Sequence, residues 1–364
     1  MNCLRYLTPL ILLALAIQAD ASPADAQRIR KSWELALETW KLETRAAATP
    51  DERSKAINHQ PDLKKYAGEM WREISDSLEE PWTLEPAAWF LRATPGLFTT
   101  RPDGSNELTF AKEIEAIRKA VETHHMNSPK LTPMCMALVT SKDPRALATL
   151  DKIQAEHPDK NIQGVAALAA AMVLKTFGDD QEVMQKRITH LRKAIIQSAD
   201  VDLGGANVAK LAEDELYIIT YLSKGRVAPD LSGLDSAGKA VKLSDFKDKV
   251  ILLMFWNSNM ENAENAVRMA TESSKKFKNR PFVVLGVNND TLENLRKFEG
   301  DDTVTFKSIS DPTNQLAEKF RVATWPMVHV LDGERKIHYS GAPGSFAELT
   351  AEALLGEQKA APKK

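Results

Sequence analysis

Apolar residues along this chain recur at two different periods, and the change comes near residue 225. From about 26 to 222 the repeat is three to four positions: Trp33, Leu37, Trp40 and Thr44, then Leu63, Tyr66, Met70 and Ile74, then Phe110, Ile114, Ile117 and Val121. That spacing predicts amphipathic helices. Pro50, Pro61, Pro81, Pro95 and Pro129 fall between the runs, where helices should break. Asp143 and Pro144 predict a further helix start, Asp143 as N-cap and Pro144 at the first helical position, with Leu147, Leu150 and Ile153 as its stripe. An Ala-rich run at 165–177 and the runs 183–196 and 208–222 complete the set. The expectation is an all-α domain over 26–224, a helical bundle or repeat-like array with short connections, though no clean repeat period shows.

After Gly225-Arg226-Val227-Ala228-Pro229-Asp230 the period shortens. A turn is expected at Ser236-Ala237-Gly238, and 250–256 reads as a buried strand. Then follow a helix at 262–277, a strand at 281–287, a helix at 292–298, a strand at 304–308 and a helix at 313–320. Strands at 327–331 and 336–339 flank the turn Asp332-Gly333, and 346–355 closes with a helix. Such alternation predicts an α/β domain over 227–356, its sheet covered on both faces. The polar tail 357–364 is expected to fray.

The first residues have another character. Arg5 precedes an apolar run at 7–17, and Ala19-Asp20-Ala21 fits a small-x-small cleavage site, with Ala24-Asp25-Ala26 as a second choice. This has the form of a secretory signal peptide over 1–21. The run is short of the roughly 20 apolar residues that span a bilayer. An uncleaved anchor is the alternative. Cys3 precedes the apolar run, so it is not placed as a lipoprotein cysteine. The mature chain is expected to be exported, periplasmic or secreted, with no membrane span.

Composition narrows the chemistry. The 364 residues carry 48 Lys+Arg against 50 Asp+Glu, a net charge of −2, which argues against a nucleic-acid partner. Two cysteines, Cys3 and Cys135, exclude a disulfide framework and a thiolate zinc site. Cys135 lies in Pro133-Met134-Cys135-Met136-Ala137-Leu138 and reads as a small buried hydrophobe. His124 and His125 are neighbours at an expected helix end; they point apart and read as solvent-facing residues rather than a metal pair. Trp33, Trp40, Trp71, Trp82 and Trp89 read as bulky fillers of a helical core. No phosphate loop, dinucleotide fingerprint or Ser-His-Asp order is present, and no cofactor or metal is expected.

The second domain carries specific motifs. Ala228-Pro229-Asp230, then Leu243-Ser244-Asp245-Phe246-Lys247-Asp248-Lys249-Val250, then Phe255-Trp256 follow one another in order. Val284-Leu285-Gly286-Val287, Ser310-Asp311, Arg321-Val322-Ala323-Thr324-Trp325-Pro326 and the hairpin 330–337 come after. This series resembles the redoxin branch of the thioredoxin superfamily, TlpA type (AhpC/TSA-like), over about 227–356. The segment 215–230, ELYIITYLSKGRVAPD, is similar to the helical extensions of some exported TlpA-type proteins. The resemblance implies thiol–disulfide exchange by a Trp-Cys-x-x-Cys motif at the start of a helix, opposite a cis proline.

Here the implied chemistry fails on residue identity. The two cysteine positions hold Met260 and Ala263, the preceding Trp is Asn259, and the acidic position three past the second cysteine is Ala266, with Glu264 nearby. A thioether cannot form the thiolate that attacks a disulfide. A peroxiredoxin reading lacks its peroxidatic cysteine as well. Pro326 remains, preceded by Trp325. Trp325 is expected near Met260, either plugging the old site with it or standing exposed as a binding contact. His329, His338 and Asp332 offer no open three-ligand set. The candidate groove is Trp256, Asn259, Met260, Trp325 and Pro326, taking a protein or peptide. The alternative is an oxidoreductase or antioxidant enzyme using Cys135 or a partner's cysteines.

Overall fold

A computed structural model of the chain describes residues 21–141, 144–178, 180–260, 263–300 and 304–360. Residues 1–20 of the expected signal peptide and the Asp143 cap therefore lie outside the described residues. The chain forms two compact units, 1–169 and 170–364.

The first unit is built from α1 (Pro23–Ala46), α2 (Pro50–Asn58), α3 (Leu63–Ile74), α4 (Leu84–Ala93), α5 (Ala111–Ala120), α6 (Thr132–Thr140) and α7 (Pro144–Glu156), with most of α8 (Lys160–Leu174). The prolines act as the sequence suggests. Pro23 and Pro50 sit in the first turns of α1 and α2, behind Ser22 and Thr49, whose hydroxyls cap Asp25 N and Glu52 N. One feature was not expected in an all-α region: β1 (Phe98–Thr100) pairs antiparallel with β2 (Asn106–Leu108). Its turn, Arg101 to Ser105, passes through Gly104 at φ 82°, a short local hairpin that period counting over longer windows misses.

His125 corrects the sequence reading. It is buried, with Nε2 2.7 Å from the carbonyl of Leu78, whereas His124 is exposed. Among the tryptophans, Trp89 is buried, Trp33 stands edge-on to Tyr66 at 5.5 Å, and Trp40 donates its indole N–H to Ala56 O at 2.7 Å.

The second unit holds α9 (Gln181–Ser198), α10 (Val208–Tyr217) and a π-helical turn (Ile218–Leu222), then the hairpin β3 (Ser232–Leu234) and β4 (Ala240–Lys242). Next come β5 (Val250–Trp256), α11 (Ala263–Lys276), β6 (Phe282–Asn288), α12 (Leu292–Gly300), β7 (Lys307–Ser310), α13 (Gln315–Lys319), β8 (Met327–Leu331), β9 (Ile337–Gly341) and α14 (Ser345–Ala360). The helix-to-sheet change thus falls where the period shortens, near 225. β7 lies three residues later than the apolar run at 304–308 suggests, since Val304 and Phe306 are buried side chains of the preceding loop. α14 runs to Ala360, past the expected end at 355.

The sheet order is β7-β6-β5-β8-β9, with β5 parallel to β6 and antiparallel to β8. β5 is central and buried at every position, which explains its unbroken apolar run. Its side chains alternate between two cores. Val250, Leu252, Met254 and Trp256 pack with α11 and α14 residues such as Ala270 and Ala351. Ile251, Leu253 and Phe255 pack with Leu222, Leu231, Ala317 and Phe320 on the other face.

Gly286 on β6 is fixed by the first core. A Cβ there would lie inside van der Waals contact of Ser308 Oγ and 2.8 Å from Trp256 Nε1. Its absence lets the Trp256 indole reach Ser308 Oγ at 3.2 Å.

Candidate functional site

The site begins where β5 ends. Trp256 closes the strand, 257–260 turn, and α11 starts at Ala263. In this arrangement a strand delivers its next residues to a helix N-terminus, where free N–H groups favour negative charge. Nothing in this turn can use that field as a sulfur nucleophile. Met260 is half-buried and packs on the Trp256-side core. Ala263 is half-buried, and Ala266 is 2% exposed inside the same core. A carboxylate at 266 would be buried there; the methyl group is merely packed. Glu264 is exposed.

The turn is held by a polar cluster that the sequence did not single out. Asp290, 6% exposed, accepts hydrogen bonds from Ser258 N and Ser258 Oγ, both at 2.9 Å. Asn288, fully buried at the end of β6, donates Nδ2 to Asp290 Oδ2 at 2.9 Å and to Trp256 O at 3.3 Å. Its Oδ1 accepts from Asp290 N at 3.0 Å, and its carbonyl accepts from Asp311 N at 2.7 Å. Asp311 in turn accepts from Leu316 N and Ala317 N at the start of α13, each at 3.0 Å. The sequence trace of this cluster is the polar run Asn288-Asn289-Asp290-Thr291, which follows the apolar strand without a break.

Opposite, the bond between Trp325 and Pro326 is cis. The ring of Trp325 turns toward the other core. It stands edge-on to Phe255, centroids 6.4 Å apart at 85°, and packs with the Phe320 cluster. This corrects the expected Trp325–Met260 plug. Phe255 and Trp256 are consecutive on a strand and face opposite ways, and Trp325 follows the first while Met260 follows the second. Trp256 is also corrected: at 1% exposure it is a core pillar, although its edge borders a cleft of about 400 Å³ shared with Ser258, Ala263 and Glu264. Asn259 is exposed, and Trp325 and Pro326 are half-buried.

Cys135 lies in the first unit, on α6, with no exposure. Burial pushes its thiol up to about 12. His338 and Asp332 meet, Nε2 to Oδ2 at 2.9 Å, but His329 is buried apart from them with Nδ1 on Ser340 Oγ at 2.7 Å. Among the described residues no group of three His, Cys, Asp or Glu side chains is placed to hold a metal ion. No helix among them is long and apolar enough to cross a membrane.

The model of the AhpC/TSA family matches residues 224–340. Peroxiredoxin Bcp of Bacillus subtilis is 33% identical over 99 residues, 27% of this chain and 63% of the relative. The thiol-disulfide oxidoreductase ResA of Bacillus subtilis is 26% identical over 117 residues, 32% of this chain and 65% of that protein. The chain thus spans slightly less than two thirds of these curated relatives. Among solved structures, the thioredoxin domain of a thiol-disulfide oxidoreductase from Bacteroides vulgatus is 26% identical; the match covers 36% of this chain and 98% of that one, with a TM-score of 0.34.

Proposed function

We propose that this chain, whose C-terminal domain is a thioredoxin-like domain of the AhpC/TSA redoxin family, is a redox-inactive binding module that takes a protein or peptide. The observation that carries this reading is the sulfur inventory. No cysteine follows Cys135 in the sequence, and the two positions where exchange chemistry would reside hold Met260 and Ala263. A thioether has no proton to lose and forms no mixed disulfide, so exchange at this helix start has no first step.

The fold features around those positions are kept. The turn is tied by Asp290, the cis Trp325–Pro326 bond is in place, and Asn259 is exposed beside them. A surface with those elements and no nucleophile suits reversible recognition of an extended segment. We assign the groove to Asn259, Met260, Trp325 and Pro326, with Trp256 supporting it from below. Export fits the apolar leader and places the partner in the cell envelope or outside the cell.

The competing reading, an oxidoreductase working through Cys135, meets a buried thiol whose ionisation burial opposes. Thiolate, not thiol, is the reactive form.

A lone cysteine installed in the groove tests the assignment. In a Met260→Cys variant, Ala263 cannot resolve a mixed disulfide, so a bound cysteine-bearing partner stays attached until dithiothreitol is added. The expected result is a discrete set of reductant-sensitive adducts from an envelope extract, suppressed when exposed Asn259 is also changed to Lys. Adducts that ignore Asn259→Lys, or no adducts, would count against the groove.

A further inference from the structure

A second cleft, wholly within the second unit and independent of the Met260 turn, has the better-built interior. It lies between the helical segments preceding the sheet domain and the β8–β9 side of the sheet, with a volume of about 650 Å³. That is the size of pockets that enclose small organic molecules. Ile218 and Phe320 give it an apolar wall continuous with the Phe255-side core.

The charged residues are unevenly distributed. Four cationic side chains, Lys175, Arg187, Lys224 and Arg321, line the cleft against one carboxylate, Glu215. Glu215 is already saturated: Arg187 Nη2 holds one oxygen at 2.7 Å and Lys175 Nζ the other at 2.8 Å. Arg321 is fixed from behind, its Nε 2.7 Å from Asp214 and its guanidinium 4.3 Å over the Tyr217 ring. Lys224 is exposed and has no ion-pair partner among the described residues. The site therefore keeps an excess of positive charge in a partly dry, apolar setting, where such charge attracts an anion more strongly than in bulk water.

One buried atom points the same way. His329 is 1% exposed and borders the cleft. Its Nδ1 is engaged by Ser340 Oγ, and its Nε2 is buried with no hydrogen-bond partner among the described residues. A buried polar atom without a partner calls for one, and a ligand atom is such a partner. With the Ser340 hydroxyl donating to Nδ1, the ring proton sits on Nε2, which is then a donor.

We propose that this cleft binds a small organic anion, an apolar body bearing one carboxylate, which meets the cationic rim and accepts a hydrogen bond from His329 Nε2. A neutral alcohol of the same shape fills the apolar wall and offers His329 Nε2 an acceptor, but brings no charge to the cationic rim.

The test uses the full chain and 1-naphthoate as probe, with 1-naphthalenemethanol as its neutral counterpart, by calorimetric titration. Expected are one saturable site for the acid, at least tenfold weaker binding of the alcohol, and at least tenfold weaker binding of the acid by Lys224→Glu, a surface change that spares the core. In a chain carrying ¹⁵N-labelled histidine, one imidazole Nε2 resonance, absent from His329→Gln, should move as the acid is added. If His329→Gln does not fold, Lys224→Glu and the alcohol still decide. No saturable binding, equal binding of acid and alcohol, or indifference to Lys224→Glu would overturn the proposal.

Discussion

The Asp290 carboxylate holds Ser258 by both its amide and its hydroxyl, each at 2.9 Å, and so ties the turn before α11 to the end of β6. This tie, rather than any bond made by Met260, shapes the turn between β5 and α11. The carboxylate is nearly buried, and of its partners Asn288 is fully buried while Ser258 is half-buried.

Removing it should therefore be costly. Asp290→Ala leaves Ser258 N, Ser258 Oγ and Asn288 Nδ2 short of an acceptor. Buried hydrogen bonds to a charged group contribute about 1.5–3 kcal/mol each, without simple additivity. A loss of about 3 kcal/mol is expected from urea unfolding. An unchanged midpoint would show that the turn is held by something else.

Gly286→Ala should destabilise through contact alone. The added methyl enters the space between the Ser308 side chain and the Trp256 indole, both packed in the buried core. Overpacking of this kind costs about 1–3 kcal/mol. The change should also disturb Trp256 fluorescence, because the indole must move off Ser308. A fully native spectrum and midpoint would contradict the packing described.

How much of this was legible in the sequence depends on range. Period gave the helices of the first unit, the strand 250–256 and the order of elements after it, because each is set by residues close in the chain. That the two positions where the resemblance implies cysteines hold Met260 and Ala263 was legible directly from the sequence. The Asp290 cluster was not, since it joins residues 32 apart and no local pattern marks a buried carboxylate. The orientation of the Trp325 ring is hidden from the sequence for a similar reason. Adjacency to Pro326 locates its backbone, but the face its ring chooses is set by Phe255 on another strand. The hairpin Phe98–Leu108 escaped because its strands are three residues each.

Cys135 should be silent in the native protein. With the thiol buried and its ionisation pushed up to about 12, a chain lacking residues 1–21 should give no fast reaction with Ellman's reagent at pH 8. One thiol per chain should appear in guanidinium chloride. Rapid native reaction would reopen an enzymatic role for this residue.

His329 makes stability depend on pH. Burial holds its imidazole at about 4, against 6.5 for a free side chain. Between those values the unfolded chain binds the proton and the folded chain does not, so stability rises with pH across that window and falls as pH drops from about 6.5 toward 4. Above 6.5 neither state carries the proton and this dependence ends. The full effect is roughly 3 kcal/mol at 1.36 kcal/mol per unit. His329→Gln should flatten the slope of unfolding free energy over that range; an unaltered slope would assign it to other groups.

The central claim is that the domain retains the fold of an exchange enzyme without its chemistry, and reduction of insulin by dithiothreitol tests it most directly. The natural protein should match the protein-free blank, while Met260→Cys combined with Ala263→Cys should accelerate precipitation of the insulin B chain. Activity of the natural protein above the blank would contradict the account.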